Sequence, residues 1–275
     1  MKVSNEHKVT LHFAHANGFP SASYRKLFSA LPEDYTLLAI EKFGHSERFP
    51  INNNWHNPAD EMLEYLDQHT DKNQKIVAVG HSFGAVVSFI AACRQPEKFS
   101  QLIMLDPPLA TGLSRHLFRF AKKTSLIDKL TPAKLAQFRK RTWNKDTNLI
   151  DYFAQRGLFK SMDRDCIADY IAAVMREQDN RLVLDFDPDI EARVFRTLPD
   201  NLHRYAGHLQ CPATIITGEQ TDVCVPFLRK KFIKENKLQH LTMPGGHMFP
   251  LEKPRDVAQA IVELINSEGG TSSKK

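Results

Sequence analysis

The chain lacks several features that would place it in a class at once. None of its 275 residues falls in a run of roughly 18 apolar side chains, so no transmembrane helix is expected. The opening residues, Met1 to Lys8, hold no apolar core of the secretory type. Only four cysteines occur (Cys93, Cys166, Cys211 and Cys224), with no C-x-x-C pair and no His/Cys cluster. Free thiols in a reducing cytosol are the expectation, and a zinc site has no support. The rest is an ordinary soluble composition, 42% apolar and 25% charged, long enough for one domain or one domain with a large insertion.

What is present is an alternation of strand-like and helix-like stretches. Strands are expected over Lys8–Ala14, Thr36–Ile40, Lys75–Val79, Leu102–Leu105, Ala213–Thr217 and His240–Met243. Helices are expected over Tyr24–Leu31, from Asn57-Pro58 onward, after Ser82, and over Pro226–Asn236 and Arg255–Asn266. This order predicts an α/β fold, a mostly parallel central sheet with helices on both faces. In such sheets chemistry sits at the carboxyl ends of the strands.

One strand end stands out. Gly80-His81-Ser82-Phe83-Gly84-Ala85 joins the apolar run Lys75–Val79 to a helix-like stretch, the setting in which G-x-S-x-G is a nucleophile elbow. The turn is tight, and Gly80 and Gly84 leave room for it. Ser82 is thereby lifted to a helix N-terminus. The competing reading is a plain strand-to-helix turn whose serine caps the helix.

A serine hydroxyl needs a base. Among 12 histidines, position favours His247, in the loop Pro244-Gly245-Gly246-His247 directly after the last strand. The base needs a carboxylate to hold its tautomer. Asp222, in the loop after the strand that ends at Gly218, gives the order Ser…Asp…His and is preferred. Asp106 at the preceding strand end competes, although Asp106-Pro107-Pro108 reads as a structural turn; Glu219 ranks third. Fixed N–H donors for a developing oxyanion are expected from Phe83 and from Asn17 in His15-Ala16-Asn17-Gly18-Phe19-Pro20, with Phe19 less favoured than Asn17.

Together these motifs resemble the α/β-hydrolase fold family over Lys8–Asp106 and Ala213–Asn266. Phe43-Gly44-His45-Ser46 is similar to a further loop of that family, with Phe43 where the family has Arg. The resemblance implies an acyl-enzyme mechanism on an ester, thioester or amide, without metal or organic cofactor. A carboxylic-ester hydrolase of small or medium acyl substrates is the first expectation. Carbon–carbon bond hydrolases, thioesterases and cofactor-free haloperoxidases share the triad, and a non-catalytic ligand-binding module is the alternative from another class. Two departures stand out: few residues precede the first strand, so the sheet is expected to be short at that edge, and Ala16 replaces the usual glycine after the loop histidine.

The resemblance divides the chain into a core, 1–106 and 212–268, and a helical cap, 107–211, followed by a disordered tail, 269–275. The cap would roof the site and choose the substrate. Pro107–Cys211 carries 18 Lys and Arg against 13 Asp and Glu, while the remainder is balanced at 19 against 19. Arg115–Lys145 alone has ten basic residues and one acidic. A solvated helix face is the plain reading; contact with a membrane surface and steering of an anionic substrate are the others. Nucleic acid is not an expected partner, since no recognised motif accompanies the charge.

Overall fold

The computed structural model describes residues 8–269. Its strands are β1 (Thr10–Ala14), β2 (Thr36–Leu38), β3 (Ile76–His81), β4 (Phe99–Leu105), β5 (Thr142–Asn144), β6 (Met175–Gln178), β7 (Arg181–Leu184), β8 (Ala213–Gly218) and β9 (Gln239–Met243). Six of them form one sheet in the order β2-β1-β3-β4-β8-β9, and every neighbouring pair is parallel. Among the described residues β2 is the edge strand on that side.

Both faces of the sheet are apolar because both are covered. Leu11, Phe13, Val77, Val79, Ile103 and Leu105 point to one face, where Tyr24, Leu27, Val257 and Ile261 cover them. Ala78, Leu102, Met104 and Ile215 point to the other, against Met62, Phe89 and Phe232 of the helices His56–His69, Phe83–Arg94 and Pro226–Asn236. Strands buried on both faces read as continuous apolar runs, which is how β3 and β4 look in the sequence. The chain leaves β1 for β2 on one side and returns to β3 on the other. The loops after β1 and β3 therefore diverge, opening a crevice at the carboxyl ends of the strands.

Between β4 and β8 lie the helices Ser114–Ala121, Ile127–Leu130, Ala133–Gln137, Leu149–Ala154 and Arg164–Val174. The segment is not all helical, however. It also holds a three-stranded antiparallel sheet, β5-β7-β6, and a further helix, Pro188–Arg196. Asp179 and Asn180, with φ of 49° and 58°, make the two-residue turn between β6 and β7. The sequence does not announce these strands, because β6, Met-Arg-Glu-Gln, lacks apolar alternation and is largely exposed. Cys166, Ile167, Tyr170 and Val174 join the apolar cluster on one sheet face, so this segment is continuous with the core packing there. The last helix, Pro254–Gly269, runs to the end of the described residues, and the tail expected from 269 onward otherwise lies outside them.

Candidate active site

Ser82 stands between β3 and the helix Phe83–Arg94 with φ 53° and ψ −117°, a strained conformation for a residue with a side chain. The glycines make the turn possible. A Cβ on Gly80 would collide with the Gly84 carbonyl, and one on Gly84 with the carbonyl of Ala14. The second contact also shows that the loop after β1 passes directly over the start of the Ser82 helix. Phe83 opens that helix, so its N–H has no carbonyl one turn back to bond.

His247 reaches Ser82. Its Nε2 lies 3.0 Å from Ser82 Oγ, and its Nδ1 lies 2.6 Å from Asp106 Oδ2. A carboxylate can only accept, so Nδ1 carries the proton and Nε2 is left to accept from the serine hydroxyl. Asp106 is fully buried and has φ 45°. It also accepts from Thr221 Oγ1 at 2.6 Å and from Gly218 N at 3.3 Å.

The carboxylate that meets His247 is thus Asp106, and Asp222 must be corrected as the acid of this line. Asp222 is exposed and bonds to nothing among the described residues; Glu219 is exposed as well. The reason lies in the strand order. Ser82 follows β3 and Asp106 follows β4, its immediate neighbour, whereas the loop of Asp222 follows β8, one strand farther away. The loop after β9 crosses back over the end of β8, where a Cβ on Gly218 would strike the carbonyls of Gly245 and Gly246. That path sets the His247 ring over β4. The loop of Asp222 contributes instead through Thr221, whose hydroxyl supports Asp106.

The loop His15–Pro20 is held from three sides. His15 Nε2 accepts from Phe43 N at 2.9 Å, so its Nδ1–H donates to Ala16 O at 2.8 Å. Burial lowers this histidine to about 4, which keeps it neutral. Phe19 N donates to Ala16 O, leaving Asn17 N–H without a partner among the described residues and Phe19 N–H committed. The left-handed residue of the loop is Gly18, at φ 76°, so Ala16 needs no glycine. Asn17 Nδ2 donates to Glu191 O, and a Cβ on Gly18 would meet the Glu191 carboxylate, which pairs with Arg139 at 2.7 Å.

His81 and Tyr24 carry a second set of bonds that sequence reasoning missed. His81 Nε2 lies 3.0 Å from the His247 carbonyl, which can only accept, so that nitrogen carries the proton. Tyr24 Oη then donates to His81 Nδ1 at 2.7 Å and accepts from Ala16 N at 3.2 Å. Burial, with His247 adjacent, drives the His81 basicity well below the usual range. The loop after β1, the elbow and the His247 loop are therefore linked by one buried chain of fixed polarity. No group of metal-ligating side chains occurs among the described residues. Nor is any helix among them long and apolar enough to cross a membrane.

A hydroxyl, an imidazole of fixed tautomer, a buried carboxylate and two helix- or loop-borne amides can together support nucleophilic attack on a carbonyl. Known proteins of similar sequence and shape agree with the fold. The chain is similar to the Karrikin insensitive 2 receptor IA of Petunia hybrida, 22% identical over 98% of this chain and 94% of that one. It is also similar to the uncharacterized hydrolase YugF of Bacillus subtilis (strain 168), 24% identical over 90% and 88%. Among solved structures, E-2-(acetamidomethylene)succinate hydrolase superposes with a TM-score of 0.76 at 20% identity, covering 94% of this chain and 91% of that chain. A sequence model described as the alpha/beta hydrolase family matches residues 13–260, and to that family the chain belongs.

Proposed function

We propose that this protein is a serine hydrolase that cleaves carboxylic esters of small or medium acyl groups through an acyl-enzyme. The observation that carries this reading is the unbroken line from Ser82 Oγ through His247 to Asp106, set at a strained elbow. Ser82 attacks the carbonyl while His247 Nε2 takes its proton. Asp106 holds the ring and faces the imidazolium that forms. The amides of Asn17 and Phe83 receive the oxyanion. His247 then gives the proton to the departing alcohol, and water repeats the sequence to release the acid. The segment between β4 and β8 roofs the crevice and selects the acyl group. Thioesters, activated carbon–carbon bonds and peroxide chemistry of the haloperoxidase type would use the same groups.

The test is intact-mass analysis after treatment with a fluorophosphonate. A single adduct on the wild-type chain, absent from Ser82→Ala, is the expected result; no adduct on either would refute a catalytic serine. A second reading rests on the printed name of the Petunia relative, a receptor. A ligand-binding module on this fold would bind a small molecule equally well with Ser82→Ala and would form no acyl-enzyme.

A further inference from the structure

Six of the nine large apolar side chains that stand exposed among the described residues lie between 113 and 138: Leu113, Leu117, Phe120, Leu130, Leu135 and Phe138. Their exposure runs from 41% at Leu130 and 48% at Leu117 to 88% at Leu113. The helix Ser114–Ala121 shows how they are arranged. Phe118 packs on the core and Ala121 is buried, whereas Leu113, Leu117 and Phe120, spaced i, i+4, i+7, form a separate stripe turned outward. A helix of a self-contained globular protein needs one apolar stripe. This one has two, and the second is unpartnered.

The same stretch carries the positive charge. Of the ten basic residues in Arg115–Lys145, Arg119 and Lys122 are paired with Asp200, Arg139 with Glu191, Arg141 with Asp189 and Lys145 with Glu177. Arg115, Lys123, Lys129, Lys134 and Lys140 have no carboxylate within 4.0 Å among the described residues, Lys140 lying over the rings of Trp143 and Tyr152. An outward apolar stripe within a segment rich in free cations is the pattern of a surface that enters the headgroup layer of an anionic bilayer.

We propose that residues 113–138 form a membrane-docking face that seats on anionic lipid, with Leu113, Leu117 and Phe120 entering the boundary between headgroups and acyl chains. A second copy of this chain fits poorly, because an isologous contact would set two strongly cationic segments against each other. Nucleic acid would meet the cations but leave the aliphatic side chains unburied. An anionic bilayer satisfies both. The inference stands apart from the proposed chemistry, since none of these residues bonds to Ser82, His247 or Asp106.

The experiment is co-sedimentation of the full chain with vesicles of phosphatidylcholine alone, or of two parts phosphatidylcholine to one part phosphatidylserine, at low and moderate salt. Binding to the phosphatidylserine vesicles is expected at low salt, about tenfold weaker on phosphatidylcholine or at moderate salt. The double variant Leu117→Asp, Phe120→Asp should abolish sedimentation, and Lys123→Glu, Lys129→Glu, Lys134→Glu should remove the preference for anionic lipid. All five positions are exposed, so each variant should keep the wild-type melting temperature. Absence of binding at low salt would overturn the proposal. So would equal binding by the Leu117/Phe120 variant, or a dimer in sedimentation velocity that this variant dissolves.

Discussion

Replacing Asp106 by Asn tests the acid most directly, because the surrounding bonds dictate how the amide must sit. Gly218 N–H points at Oδ1, so the amide oxygen is drawn there and the NH2 falls where Oδ2 was. It then faces His247 Nδ1, which must give up its proton to accept, and the proton moves to Nε2, against the serine. The NH2 also faces Thr221 Oγ1, which already accepts from the amides of Val223 and Cys224. Flipping the amide restores the histidine tautomer but sets NH2 against the Gly218 N–H, a penalty of about 1–3 kcal/mol for the unpaired donor. That leaves roughly one molecule in five to one in 160 with a usable base. The lost charge opposite the imidazolium lowers turnover further. The combined fall in kcat should be about 10^3- to 10^4-fold, the range in which a misoriented histidine places a serine enzyme. Asp222→Asn, at an exposed position without partners, should change kcat less than about twofold and stability by no more than about 0.5 kcal/mol. Hydrolysis of a p-nitrophenyl ester, read with thermal melts of both variants, decides the matter. Near-normal turnover in Asp106→Asn, or a collapse in Asp222→Asn with an unchanged melt, would refute the reasoning.

Two further expectations follow from the buried polar groups. Tyr24→Phe removes the hydroxyl that serves both Ala16 N–H and His81, so kcat should drop about tenfold, the loss given by about 1.4 kcal/mol of donor misalignment, with KM nearly unchanged; a lower melting temperature with intact kcat would make the hydroxyl structural only. Acid should unfold the protein early. Burial lowers His12 to about 3 and His15 to about 4, and His81 lies well below its usual range, whereas in the unfolded chain all three take protons near pH 6.5. The unfolded state thus binds more protons as pH falls from about 6.5 toward 4, and each histidine withdraws up to about 1.4 kcal/mol per pH unit across that window. Glu61, raised to about 7 by burial, acts in the opposite sense between 4.5 and 7, leaving a net loss on acidification. Urea midpoints that stay flat from pH 7 to pH 5 would contradict this.

The parallel sheet was legible because strands covered on both faces announce themselves as apolar runs and the helices between them carry a clear period. The turn around Ser82 was equally legible, since only glycine can stand at 80 and 84. The carboxylate was harder. Chain order shows which loop follows which strand, but not that the loop after β9 runs back across β8 to set His247 over β4. The positive φ of Asp106, which turns the chain away and leaves the carboxylate facing inward, leaves no mark beyond the two prolines that follow. The Tyr24–His81 chain was invisible for a similar reason, because it joins residues 57 apart through atoms rather than through any spacing. In the segment after β4 the helical character was readable, but the exposed hairpin around Asp179-Asn180 was not.

The chain of bonds from Ala16 through Tyr24 and His81 to the His247 carbonyl has a consequence for motion. Its two ends lie in the loops of Ala16 and His247, and His81 between them closes β3 and is covalently joined to the elbow residue Ser82. None of these loops can open without breaking a bond that another needs, so they share a single opening free energy. Hydrogen exchange should therefore find the amides of Ala16 and of the bonds around His247 exchanging together, as one cooperative patch, at rates slower than those of the surface loops beside them.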